Sequence, residues 1–188
     1  EFTHVLSNIE KISSSIDIPL IIKEVGFGMS KETAQKLSEI GVAIVDVGGY
    51  GGTNFAAIEN MRRNRKLFFM NDWGIPTACS IVEVTQTSPF MEVIASGGIQ
   101  TSLEIAKAIS LGANACGLAG YVLNILINEG VESLISEIKH IQEELKLIMT
   151  ALGTPNIESL KKAPVVISGR TYHWLHERGF KTQIYSNR

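Results

Sequence analysis

The chain has 188 residues, about one domain's worth, and is 45% hydrophobic and 19% charged, with 17 Lys and Arg against 19 Asp and Glu. A formal net charge of -2 argues against a general binder of nucleic acid or of anionic membranes, since either needs a basic surface. The apolar content excludes global disorder, no apolar run approaches the roughly 20 residues of a membrane-spanning helix, and the opening Glu1-Phe2-Thr3-His4 lacks the basic start and apolar stretch of a signal peptide.

In chain order, Val5 to Ser15 reads as a helix feeding straight into a strand. Pro19 to Glu24 is a nearly continuous apolar run, the pattern of a buried parallel strand. Gly26 and Gly28 form a loop, Ser30 is a natural N-cap for a helix reaching about Ile40, and Gly41 stops it. Ala43 to Val47 is the second strand, followed by the densest glycine loop, Gly48-Gly49-Tyr50-Gly51-Gly52. A polar stretch over 60–72 carries Arg62, Arg63, Arg65 and Lys66, and a helix is predicted from Thr77 to Val84. The third strand, Met91 to Ala95, runs into Ser96-Gly97-Gly98; Thr101 and Glu104 then make a capping box for a helix ending at Leu111-Gly112. Ala115 to Leu118 is the fourth strand, with Gly117-Leu118-Ala119-Gly120 leading into another helix. Val131, Leu134, Ile135, Ile138, Ile141, Leu145, Ile148, Met149 and Leu152 recur at steps of three and four, an amphipathic helix for the outside of the sheet. Gly153-Thr154-Pro155 ends it, and the tail from Asn156 reads as one short helix with a polar finish.

The first two strands start at 19 and 43 and the last two at 91 and 115, the same interval twice, which is the mark of βα repetition and a parallel sheet. Four βα units cannot close on themselves, and eight typically take about 250 residues. The chain therefore reads as the C-terminal half of a TIM (β/α)8 barrel over residues 1–152, plus a C-terminal helical tail at 153–188, with the N-terminal half absent. An open doubly wound sheet is the alternative; in both, a site lies at the strand C-termini.

All four glycine clusters fall on that edge. Gly97-Gly98 before a capped helix, and Ala119-Gly120 before the next, offer peptide N–H groups and positive helix ends in adjacent units, suited to a phosphate. The bland reading is tight turns that need positive φ. Lys23 ends an otherwise apolar strand, where an ammonium meets either an anionic ligand or a carboxylate such as Glu24 or Asp46. Asp46 suits a partner in a neighbouring loop or backbone rather than a substrate. Thr53 and Asn54 close the second loop and either reach a ligand or cap a local turn. The basic run at 62–66 is expected to be a solvated loop, and His173 with His176 lacks a third ligand for a metal site. Cys79 and Cys116, with neither CxxC nor zinc spacing, point to structural thiols in a reducing, cytoplasmic compartment.

Taken together, Lys23-Glu24-Val25-Gly26-Phe27-Gly28-Met29-Ser30, Asp46-Val47-Gly48-Gly49-Tyr50-Gly51-Gly52-Thr53-Asn54-Phe55, Ile58-Glu59-Asn60, Arg62-Arg63, Trp73-Gly74, Ala95-Ser96-Gly97-Gly98-Ile99 and Ala119-Gly120 resemble the type 2 isopentenyl-diphosphate isomerases, FMN-dependent barrel enzymes of isoprenoid synthesis. The resemblance spans the chain from Pro19 to the tail but only the second half of the family's barrel; many members carry serine where this chain has Gly48. It implies FMN held by Lys23 at the isoalloxazine edge and Thr53 on the ribityl-phosphate side. Gly97, Gly98 and Ile99, with Ala119 and Gly120, would hold the phosphate through peptide N–H groups. Lys23, the one catalytic residue implied, would stabilise negative charge on the reduced ring. The implied reaction interconverts isopentenyl and dimethylallyl diphosphate by a 1,3-proton shift, using reduced FMN, NADPH and Mg2+. The magnesium ligand belongs to the other half, and members are cytoplasmic homo-oligomers, tetramers or larger. Rival readings are an FMN-dependent 2-hydroxy acid oxidoreductase, whose substrate-facing loop carries a histidine that this chain lacks between Asp46 and Ser96, and a non-catalytic half-barrel fragment.

Overall fold

A computed structural model describes residues 4–188. One parallel sheet runs in the order β1 (Ile21–Lys23), β2 (Ile44–Asp46), β3 (Glu92–Ser96), β4 (Ala115–Gly117). Lys23 pairs with Asp46, Asp46 with Ile94, and Ile94 with Ala115. Each strand pairs with the next in sequence, whereas a doubly wound sheet reverses its order at a switch point. The architecture is four successive βα units of a (β/α)8 barrel.

The helices follow the local signals closely. α1 (Val5–Ser15) leads into β1; α2 (Lys31–Glu39) starts at Ser30, whose side chain accepts from the Thr33 amide. α5 (Ser102–Ser110) carries the complete Thr101–Glu104 capping box. α4 (Thr77–Thr87) buries six consecutive residues, Cys79 to Val84, because α2, β3 and the tail all pack around it. α6 (Gly120–Glu129) and α7 (Val131–Ala151) form a hairpin, with α7 lying on α5 as its spacing requires.

Two expectations need correction. The stretch between the second glycine loop and the helix predicted from Thr77 is not all polar loop: α3 (Phe55–Arg62) opens at Asn54, and a single 3-10 turn covers Phe68–Met70. The tail holds three helices, α8 (Ile157–Lys161), α9 (Gly169–Glu177) and α10 (Gln183–Ser186), rather than one. Its Leu160, Leu175 and Tyr185 are buried in the same cluster as Val45, Val93 and Ala95, so the tail is pinned by packing despite its polar composition.

Side-chain alternation along the strands gives the sheet two unlike faces. Val45, Val93 and Ala95 are fully buried under the helices, whereas Ile21, Glu92 and Ala115, on the opposite pleat, are exposed. That second face, the one a closed barrel turns inward, carries Lys23, Asp46 and Ser96 at its upper edge.

A hollow at the strand C-termini

Lys23, Thr53, Gly97, Gly98, Ile99, Ala119 and Gly120 all line one hollow of about 580 Å3 at the C-terminal ends of the strands. The size falls within the several hundred Å3 typical of small-ligand sites. Residues almost a hundred positions apart meet there because parallel strands deliver every C-terminus to the same edge.

Lys23 enters the hollow as the last residue of β1, and its carboxylate partner is Asp46 rather than Glu24. Its Nζ donates to Asp46 Oδ2 (2.5 Å) and to Ser96 Oγ (3.0 Å), yet its side chain remains 55% exposed, against 11% for Asp46. The other carboxylate oxygen, Asp46 Oδ1, accepts from Ser96 Oγ (2.5 Å) and from the Gly48 amide (3.0 Å). The buried carboxylate is thus fully engaged, in line with its expected loop-binding role, while an ammonium, with three donors, keeps one for the hollow.

Two glycine turns form the opposite wall. Gly97 (φ 108°) and Gly98 (φ 79°) lie in the left-handed region, and a Cβ on either would strike the backbone of Gly49 or Gly51. The two loops stack main chain on main chain, tied by Gly49 N–H to Ser96 O (2.8 Å), and Thr77 Oγ1 at the start of α4 donates to Gly97 O (2.6 Å). Among the described residues, the amides of Gly97, Gly98, Ile99, Leu118, Ala119, Gly120 and Tyr121 have no acceptor, whereas those of Gln100 and Thr101 are taken by Glu104 Oε2. Unpaired amides at the foot of α6, beside a second turn of the same kind, make a cradle for an anionic oxygen cluster.

The surrounding motifs have structural jobs. Glu24 accepts from the Val25 and Phe27 amides and fixes the loop over the hollow. Met29 is buried and clasped by Ser80, which both accepts from its amide and donates to its carbonyl. Asn54 is a helix cap, accepting from Ala57 N–H and donating to Asn71 O; Thr53 is left at the rim. Arg62 to Lys66 lie outside the hollow and are exposed, with Arg63 near Glu59. His176 stacks on Tyr172. Burial pushes the Cys79 thiol up to about 12 and Cys116 to about 11, so neither is a nucleophile at neutral pH. Among the described residues no three His, Cys, Asp or Glu side chains gather as metal ligands.

Sequence reading missed Ser96 as the bridge between Lys23 and Asp46, and Tyr121, which lines the hollow and donates to Glu137 Oε1 (2.6 Å) from α6 to α7. Ser96 was findable: it ends a strand two along from β1. Tyr121 carried no local signal, since its partner lies in the next helix.

A family model described as FMN-dependent dehydrogenase matches residues 3–167. The chain is 57% identical over all 188 residues to an isopentenyl-diphosphate delta-isomerase of Geobacillus sp. (strain WCH70) and 52% identical to that of Bacillus pumilus (strain SAFR-032), covering 54% and 53% of those proteins. It therefore spans about half the length of the curated relatives it matches. Among solved structures, mandelate oxidase with benzoyl-formic acid aligns with a TM-score of 0.64 at 20% identity, over 86% of this chain and 44% of that one. A lactate oxidase of Pediococcus acidilactici aligns with a TM-score of 0.67 at 20% identity, over 87% and 41%. At these identities the structures speak for the barrel fold alone.

Proposed function

The chain belongs to the FMN-dependent dehydrogenase family, and from that premise we propose that it is the C-terminal half-barrel of an isopentenyl-diphosphate isomerase, carrying most of the FMN grip. One observation carries the reading: a single hollow has a partly free ammonium on one wall and two turns of unpaired amides on another. That arrangement fits a flavin mononucleotide, whose phosphate suits the amides and whose ring, when reduced, is anionic. A cradle that a Cβ would fill suits a group approached by bare backbone.

When bound, reduced FMN supplies the acid–base chemistry that interconverts isopentenyl and dimethylallyl diphosphate with no net redox change. Gly97, Gly98, Ile99, Ala119 and Gly120 hold the phosphate through main-chain N–H groups, so the grip needs no side-chain cation from this wall. Thr53 offers a hydroxyl along the ribityl chain. Lys23 sets its charge against the ring and stabilises negative charge there without itself carrying the substrate proton. The NADPH and Mg2+ requirements, a cytoplasmic setting and assembly as tetramers or larger belong to the longer protein; the magnesium carboxylate falls to the N-terminal half. Residues 1–152 are the working half and 153–188 a tail that braces it.

The rival oxidoreductase reading draws on the fold neighbours, but the loop Gly48-Gly49-Tyr50-Gly51-Gly52 offers no histidine to take a hydroxy acid's proton. The chain by itself is expected to be inactive. Mixing it with the N-terminal half of the Geobacillus relative, desalting, and recording the flavin absorption bands tests the proposal. A yellow species that isomerises isopentenyl diphosphate supports it; a colourless one refutes the cofactor grip. A yellow species oxidising 2-hydroxy acids instead would move the assignment to the rival.

A further inference from the structure

We propose that Asp46 and Ser96 are positioning residues that aim the Lys23 ammonium, and that their hydrogen-bonded ring sets how strongly the site prefers reduced over oxidised FMN; this rests on the FMN reading above. Lys23 Nζ donates to both partners, and Ser96 Oγ donates onward to Asp46, so the three groups close on one another. A flexible four-carbon stem that is 55% exposed would otherwise sample many rotamers. Two fixed acceptors leave the third N–H with little freedom of direction.

The ring also links the two ends of the site. Asp46 accepts the Gly48 amide at the head of one glycine loop, and Ser96 immediately precedes Gly97 of the phosphate turn. Placing the ammonium and placing the turns are therefore one structural event. Asp46 is nearly buried and supplies the counter-charge that offsets the cost of holding a lysine at a strand end.

The test uses the complex of this chain with the N-terminal half of the Geobacillus relative, and variants that preserve charge. Ser96→Ala removes the steering hydroxyl, Ser96→Thr restores it, and Asp46→Glu keeps the carboxylate but displaces it. The readout is the ratio of dissociation constants for oxidised and dithionite-reduced FMN, by titration under argon. In the parent, reduced FMN is expected to bind more tightly than oxidised. Ser96→Ala and Asp46→Glu are expected to cut that preference about tenfold, or about 30 mV in the two-electron potential, and Ser96→Thr to return it to within about twofold of the parent. On a Lys23→Met background the preference is gone and Ser96→Ala adds nothing, the non-additivity expected of groups acting as one. A parental ratio in Ser96→Ala, or an equal effect with and without Lys23, overturns the positioning role while leaving FMN binding intact. A parent ratio unchanged by Lys23→Met overturns the lysine's own role, and a parent that binds no FMN overturns the site.

Discussion

Two clusters in this protein are built from the same parts, a buried carboxylate and a cation, and they end as opposites. On the outer side, Glu83 is fully buried and accepts from Lys31 N–H (2.9 Å), Trp174 Nε1 (2.8 Å), and Arg178 Nε (3.3 Å) and Nη2 (2.8 Å). Arg178 Nη2 also reaches Glu32 (2.7 Å), and its side chain is 32% exposed. At the rim, Asp46 is equally engaged but Lys23 stays more than half exposed, beside unpaired amides. The cation's greater exposure and the unpaired amides beside it, rather than the ion pair itself, separate a site from a staple. The outer cluster ties α2, α4 and α9 into one block; the inner one leaves chemistry available.

The contrast breaks most sharply on stability. Glu83→Ala strands Trp174 without its acceptor, leaves Arg178 with Glu32 alone and should cost about 3–5 kcal/mol, read from urea unfolding, with FMN affinity of the remaining folded complex near parental. Lys23→Ala should do the reverse in the two-part complex: turnover falls about a hundred- to a thousandfold, as for loss of one preorganised charge-stabilising donor, while the urea midpoint barely moves. Equal turnover would remove Lys23 from the site. Gly98→Ala forces a side chain into left-handed backbone and toward the Gly51 carbonyl, at about 1–2 kcal/mol; FMN titration should show at least tenfold weaker binding.

The smallest effect sharpens the outer cluster. Arg178 holds the Glu32 carboxyl at about 2, below its ordinary 4.5. The depressed value means the pair stabilises fully above pH 4.5 and is lost as pH falls through about 2. Glu32 is largely exposed, so solvent screening keeps the contribution under about 1 kcal/mol. Acid unfolding of Glu32→Gln against parent should differ in the upper part of that window and converge below it.

The parts of the fold written in short-range pattern were legible: apolar runs for the strands, Ser30 and Thr101 as caps, and the three- and four-residue steps of α7. α3 was not, because two turns bearing Phe55, Ile58 and Met61 give too short a period beside a polar loop. The tail's α9 and α10 escaped for a related reason: α9, with Leu175, packs on α4, and Tyr185 Oη meets Gln86 and Leu111, all distant in sequence. At the hollow, glycine spacing and the lone strand-end lysine marked which residues to watch. The Lys23–Asp46–Ser96 ring joins positions 23 and 50 apart in sequence, and only strand register brings them together.

The main-chain stacking of the two glycine loops has a consequence for how such a protein diversifies. With Gly49 and Gly51 set against Gly97 and Gly98, neither loop can change alone, because a methyl group on one needs a matching retreat of the other. Innovation is channelled to the neighbours that present side chains to the same hollow, Phe55, Leu118 and Tyr121. A library that randomises those three while leaving the glycines untouched should retain far more folded members than one of equal size aimed at the loops.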